Sequence, residues 1–285
     1  MMIKKRIIFF LAILFANTLF AQNDKAKLAN SQEPFVLGVI DKIQSAELNE
    51  TRTVNIYLPE GYSPDSAIIY PVIYLLDGSV NEDFIHVVGI VQFLTMIEVM
   101  PKSIVVGIAN VDRRRDLTFP TTIAQDKKDY PTTGSSAKFM KFIEKELQPF
   151  IQKKYKVNNS KTIIGQSLGG LFATEVLLKN PGLFDNYIIV SPSLWWDNES
   201  LLTAAPKLWK KQTGKKNKIY ISVGSEGKQM EDDARNLSKI LETPGGNNLQ
   251  ISFVSLPAEN HLTILHNSVY KAFQILYAKK PMLKE

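Results

Sequence analysis

The stretch Lys161–Phe172, KTIIGQSLGGLF, constrains the fold more than any other part of this 285-residue chain. A short β-branched apolar run leads into Gly165-Gln166-Ser167-Leu168-Gly169, and a helical apolar pattern runs on from Leu171. A strand, a sharp turn and a helix in that order form a nucleophile elbow, which presents a serine hydroxyl at the top of a sheet. Beside a residue with unusual φ and ψ, a Cβ at Gly165 or Gly169 is expected to crowd the strand against the helix. The competing reading is a glycine-rich turn whose serine only caps the helix. The strand before it and the helix after it favour the elbow.

The flanking segments agree with a sheet built around that strand. Phe35 to Ala46 and Thr51 to Leu58 alternate apolar and polar residues about Asn49-Glu50 and read as an antiparallel edge hairpin. Pro71 to Leu76 is a continuous apolar run expected of a strand buried on both faces, and Ser103 to Ala109 is another. Further strands are predicted at Asn186 to Val190, Lys218 to Val223 and Leu249 to Leu256. Helical spacing covers Phe84 to Val99, Met230 to Leu241 and a final segment ending near Tyr277. Lys138 to Lys154 carries Phe139, Phe142, Ile143, Leu147, Phe150 and Ile151 on one stripe, which is plain packing. Asn110 to Tyr130 is polar and aperiodic, and an irregular segment of that length is expected to be functional. Together these predict the α/β class and an α/β-hydrolase fold, with a mostly parallel central sheet of about eight strands and helices on both faces.

Residues 1–21 have the form of a signal peptide. Lys4, Lys5 and Arg6 precede an apolar run from Ile7 to Phe15, and the segment ends on the small residue Ala21. The competing membrane anchor needs an apolar run of about 20 residues, longer than this one. The expected organisation is a cleaved segment 1–21, a flexible leader 22–34 and one hydrolase domain over 35–280. Loss of the first 21 residues lowers the net charge from +6 to +3, with 31 basic against 28 acidic residues. The basicity is therefore largely the targeting segment, and no nucleic-acid partner or stable membrane insertion is expected after cleavage. The absence of cysteine excludes disulfides, a lipoprotein anchor and thiolate chemistry.

A serine at its ordinary pKa needs a neighbouring base. In hydrolases of this architecture the chain order is serine, acid, histidine. Of the three histidines, His86 precedes Ser167, His261 lies in the loop after the last strand, and His266 is a turn deeper in the final helix. His261 is the candidate base, against the alternative of a polar histidine at a helix end. Glu226, just past the strand Lys218 to Val223, is the candidate acid. Asp232 and Asp233 open a helix, where the dipole alone favours acids. A Ser–His dyad without a carboxylate stays open. The oxyanion donors are expected to be the amides of Leu168 and Ser79, with Asp77 shaping its turn through side-chain bonds to backbone.

YPVIYLLDG (70–78), GIANVDRRRDLTFP (107–120), IIGQSLGGLFA (163–173), LFDNYIIVSPSLWWDN (183–198) and the late Glu259-Asn260-His261 carry a resemblance. They resemble the esterase family of α/β-hydrolases that includes esterase D, the enterochelin esterases and their periplasmic siderophore-esterase relatives. The similarity spans about residues 35–278. It implies Ser167 as nucleophile, His261 as base and the Ser79 and Leu168 amides as oxyanion donors, and leaves the role of Glu226 open. Gln166 stands where relatives often carry histidine or glycine, and its side chain is expected to stay out of the chemistry. The resulting expectation is an exported serine ester hydrolase without metal or cofactor, acting on a siderophore lactone or similar small ester. The alternatives are an acetyl or feruloyl esterase acting on polysaccharide, or a binding protein on a hydrolase scaffold. Trp195 and Trp196 are candidate stacking surfaces and Arg113 to Arg115, with Arg113 foremost, candidate contacts for an acidic group. The plainer readings are tryptophans packed under a loop and a solvated basic segment.

Overall fold

The computed structural model describes residues 32–210, 217–242 and 250–278. The expected signal segment and most of the leader lie outside the described residues, as does Leu249 at the start of the last predicted strand. Residues 32–37 have no regular secondary structure, and all described strands and helices belong to the compact unit that begins at Gly38.

Eight strands form one sheet: β1 (Val39–Ser45), β2 (Glu50–Tyr57), β3 (Tyr70–Leu75), β4 (Ile104–Ile108), β5 (Val157–Gln166), β6 (Asn186–Val190), β7 (Lys218–Gly224) and β8 (Gln250–Leu256). Their spatial order is β1-β2-β4-β3-β5-β6-β7-β8. The first two strands form the expected antiparallel hairpin, closed at Asn49 with φ 54°, a left-handed position asparagine tolerates. β2 also runs antiparallel to β4, and every pairing from β4 across to β8 is parallel. Every residue of β4 and β6 is buried, as the uninterrupted apolar run of β4 requires, and the buried Asn186 of β6 donates to Thr162 Oγ1 at 3.0 Å.

Alternate residues of the central strands face opposite sides. Tyr74, Val106, Ile163, Ile189 and Ile221 pack with Phe172 and Val176 of α6 (Leu168–Lys179) and Leu237 of α8 (Lys228–Glu242) in one core cluster. α9 (Ile264–Leu276) also contacts β6, β7 and β8, and packs beside α1 (Phe84–Met96). Sequential strands are added on one side of β3 and then on the other, so the order reverses between β3 and β5. Open α/β sheets form their crevice at such a point, beyond the strands' carboxyl ends.

Asn110 to Tyr130, expected to be irregular, contains α2 (Arg113–Leu117) and α3 (Ala124–Asp129). Helices of five and six residues are too short to display a period. Asp112 caps α2 by accepting from Arg115 N–H at 3.0 Å. The buried Asp116 accepts from Arg52 Nη1 at 2.6 Å, and the fully buried Arg52 also reaches Glu50 at 2.8 Å. The segment is thereby fastened to β2. The amphipathic stretch 138–154 is helical, as α4 (Ser136–Phe142) and α5 (Gln148–Lys154) joined by a π turn at Ile143–Leu147.

The helical span α7 (Trp196–Trp209) begins with Asp197, Asn198 and Glu199 all left-handed, at φ 52°, 53° and 60°. Such residues cost about 1–2 kcal/mol each. The Asp197 carboxylate offsets part of this by accepting from Thr122 N–H at 2.6 Å, Thr122 Oγ1 at 2.8 Å and Thr121 Oγ1 at 3.1 Å.

Candidate active site

Ser167 has φ 58° and ψ −119°, between the last residue of β5 and the first of α6. No L-residue adopts this conformation without cost, and its persistence marks a site over-determined by its surroundings. Gly165 is required there, because a Cβ would lie 2.3 Å from the Gly169 carbonyl oxygen. The expectation for Gly169 is corrected: a Cβ at that position meets nothing closer than 3.5 Å. The second obligatory glycine is Gly170, whose Cβ would sit 2.9 Å from Pro192 Cα. Ser167 makes no side-chain cap bond to α6, and its Oγ contacts Ser193 Oγ at 3.2 Å.

The carboxyl ends of β7 and β8 bring the other two candidates together. His261 Nδ1 lies 2.5 Å from Glu226 Oε2. Glu226 is 2% exposed and His261 40%, so the acid sits beneath the imidazole. Burial alone raises the Glu226 pKa, but bonds from His261, Ser191 Oγ and the Gly224 amide together hold it below the usual carboxylate value. An ionised carboxylate only accepts, so the Nδ1 proton belongs to His261 and Nε2 keeps its lone pair. Ser193 belongs to the stretch 193–198 expected from the sequence to wall the pocket, whereas Ser191, on the other side of Pro192, is not a predicted site residue. The only sequence signal for Ser191 is position, at the end of the strand beside the elbow.

Gln166 Nε2 donates to the His261 carbonyl at 2.5 Å, so its side chain bonds the backbone of the loop that carries His261. Among the described residues no hydrogen bond joins Ser167 Oγ to the imidazole, although both residues line one hollow. His266 is elsewhere, with its ring centroid 5.5 Å from that of His86. Burial and His86 lower its pKa.

The β3–α1 turn is held tightly against β4. Gly78 N–H donates to Ile108 C=O at 3.0 Å, Asn55 Nδ2 donates to Gly78 C=O at 2.7 Å, and a Cβ on Gly78 would meet Gly107 Cα at 2.4 Å. Asp77, left-handed at φ 53°, accepts from Arg113 Nε at 2.6 Å, Arg113 Nη2 at 2.9 Å and Asn110 Nδ2 at 2.7 Å. Its carboxylate therefore holds side chains of the β4–α2 segment, a correction to its expected role in bonding backbone. The three arginines separate. Arg113 is engaged by Asp77, Arg115 by Glu50 and Asp116, and Arg114 lies 4.6 Å from the Tyr130 ring centroid.

Residues 45–270 match the family described as "Putative esterase". The chain belongs to this esterase family. It is 31% identical over 254 residues to the ferri-bacillibactin esterase BesA of Bacillus subtilis, covering 79% of this chain and 85% of the relative. An IroE-like serine hydrolase from Shewanella oneidensis superposes with a TM-score of 0.78 at 30% identity, over 84% of this chain and 80% of that one. The BES protein from Bacillus cereus gives 0.74 at 29% identity, over 86% and 96%. The protein is a carboxylic ester hydrolase.

Two hollows of this esterase meet at Ser167. One, of about 200 Å³, is lined by Arg114, Tyr130, Trp195 and Trp196; the other, of about 390 Å³, by Asp77, Glu82, Asp83 and His261. Arg113 borders both. Trp196 is 1% exposed and donates its indole N–H to Phe119 C=O at 2.9 Å, so it supports the wall, and Trp195 is the partly exposed ring. A hollow of about 730 Å³ around Thr95, Lys102 and Tyr277 is larger but contains no serine or histidine. Size does not locate the chemistry in this esterase. Among the described residues no group of three or more His, Asp or Glu side chains is arranged to hold a metal ion.

Asp232 and Asp233 differ in environment. Asp232 is paired with Lys228 one helical turn away, whereas Asp233 is 4% exposed and its Oδ2 has no hydrogen-bond partner. Burial, Glu199 and Asp232 push the Asp233 pKa up to about 6. Its folded pKa lies above the unfolded value, so the native state binds more protons between pH ~4 and ~6 and stability falls as pH rises through that window. Asp233→Asn is therefore expected to raise stability at pH 7 by up to about 3 kcal/mol, with little gain at pH 4. Urea unfolding at the two pH values measures this, and equal shifts at both would contradict it.

Proposed function

We propose that this esterase is exported and hydrolyses siderophore esters or closely similar small esters through an acyl-enzyme on Ser167. The observation that carries the mechanism is the 2.5 Å contact between His261 Nδ1 and a buried, ionised Glu226, beside a serine on a strained elbow. Ser167 Oγ turns from Ser193 toward His261 Nε2, gives up its proton there and attacks the ester carbonyl. The Leu168 and Ser79 amides receive the developing oxyanion. The tetrahedral intermediate collapses, the carbonyl–alkoxy bond breaks and His261 returns the proton to the departing alcohol. Water, deprotonated by His261, then attacks the acyl carbon, frees the acid and restores the Ser167 hydroxyl. Glu226 holds the imidazole in one tautomer and stabilises the imidazolium in both halves.

The substrate class is supported by the curated relative acting on a ferri-siderophore and by the hollow formed by Arg114, Tyr130 and Trp195. A guanidinium beside two aromatic rings suits an electron-rich, anionic ring such as a catecholate. The expected result is a kcat/KM for a catecholate trilactone at least about 100-fold above that for feruloylated xylan, the scale of two or three good polar contacts. The reverse preference would favour the polysaccharide esterase. Export predicts a mature protein beginning at Gln22, which mass spectrometry of the exported fraction tests.

A further inference from the structure

The Glu82 carboxylate lies over the amide assigned to the oxyanion. Ser79 N–H donates to Glu82 Oε2 at 3.3 Å, and the Ser79 hydroxyl donates to the same oxygen. Asn110 Nδ2 contacts both Glu82 oxygens, at 3.1 and 3.3 Å. An amide occupied by a carboxylate is not available to an ester carbonyl, and a negative charge there repels the oxyanion that must form. Burial raises the Glu82 pKa, but Ser79, Asn110 and the nearby Arg113 together hold it below the usual value, so the charge is present at neutral pH. The same pair closes a turn, in which Glu82 N–H donates to Ser79 C=O at 3.0 Å, so the carboxylate also has a local turn partner ahead of α1. The N-cap position of α1 is Asp83, and the Ser79 amide is not among that helix's unpaired donors.

The departing alcohol must take its proton from His261, and His261 lines the hollow that holds Asp77, Glu82 and Asp83, not the one at Trp195. The alcohol portion of the substrate therefore occupies the acidic hollow. Of its three carboxylates, Asp77 is engaged bidentately by Arg113, and Asp83 contacts His86 at 3.2 Å. Glu82 accepts only from the neutral donors of Ser79 and Asn110. It is the carboxylate best placed to exchange its present partners for a group on the substrate.

We propose that Glu82 is a specificity-determining gate, covering the Ser79 amide until an N–H or cationic group on the alcohol side of the ester draws its carboxylate away. This rests on Ser79 being the second oxyanion donor. Esters with such a donor open the oxyanion site as they bind, and plain esters must displace the carboxylate without compensation.

The test compares the butyrate ester of N-acetylethanolamine with its N-methylated counterpart, which has the same acyl group but no N–H. The wild-type protein should prefer the N–H ester in kcat/KM by about tenfold or more, the scale of one hydrogen bond to a charged acceptor. Glu82→Ala should bring the ratio near one, mainly through faster turnover of the N-methyl ester, and Glu82→Gln should fall between. A purely structural role would slow both esters alike and leave the ratio unchanged. A wild-type ratio near one, or an unchanged ratio in both variants, would overturn the gate while leaving the esterase mechanism standing. Turnover of the two esters that survives Ser167→Ala would overturn the nucleophile assignment beneath it. Should Glu82→Ala fail to fold, Glu82→Gln alone decides the matter through the same ratio.

Discussion

Ser167→Ala is expected to abolish ester hydrolysis, with kcat falling by about 10⁶-fold, the scale found when a nucleophilic serine is removed. The fold should be unaffected. Alanine keeps the Cβ that the φ 58° position already accommodates, and the only side-chain hydrogen bond lost is the 3.2 Å contact with Ser193 Oγ. Labelling by a fluorophosphonate probe should disappear in the same variant while its melting temperature stays within a few degrees. Labelling that persists on another serine would move the nucleophile away from the elbow. Ser193, as the neighbouring hydroxyl, is the first place to look.

The second large effect concerns Glu226. Glu226→Gln preserves size but removes the charge that stabilises the imidazolium, and one of its amide rotamers places a donor against the His261 Nδ1 proton. The expected loss in kcat is up to ~10⁴-fold, with little change in KM, the scale of replacing a triad carboxylate by its amide. His261→Ala should cost roughly 10³-fold or more. Asp232→Asn, a change in an exposed pair with Lys228, should leave kcat unaltered. A loss below about tenfold for Glu226→Gln, near 1.4 kcal/mol, would mean that Ser167 and His261 work as a pair. The same substitution has a signature in stability. Glu226 has a folded pKa below its unfolded value, so its ionisation contributes stability above the unfolded value that is lost as pH falls through the folded one. The variant should therefore lose less stability on acidification than the wild type.

Much of the architecture was legible in the chain because it rests on short-range regularities. The uninterrupted apolar run of β4, the alternation in β1 and β2, and the elbow between Gly165 and Ser167 are local patterns with local causes. Chain order leaves two histidines after Ser167, and the candidate base His261 is separated from His266 by its place in the loop after the last strand. Where such patterns are too short to repeat, legibility stopped. α2 and α3 lie in a segment read as irregular, and α2 is held in place by the buried Arg52–Asp116 pair, 64 residues apart in sequence.

The sequence by itself determined the strand–turn–helix that carries Ser167 and the class of fold, because each follows from patterns among neighbouring residues. Only the tertiary structure decided which glycine the elbow needs besides Gly165, since the crowding at Gly170 comes from Pro192 on another strand's end. It also sorted three consecutive arginines that composition cannot distinguish, by bringing Asp77 to one and Glu50 to another. It set Glu226 under His261, 35 residues away. These are contacts between side chains at the ends of different strands. Their geometry is fixed by strand order and register, which no single stretch of sequence encodes.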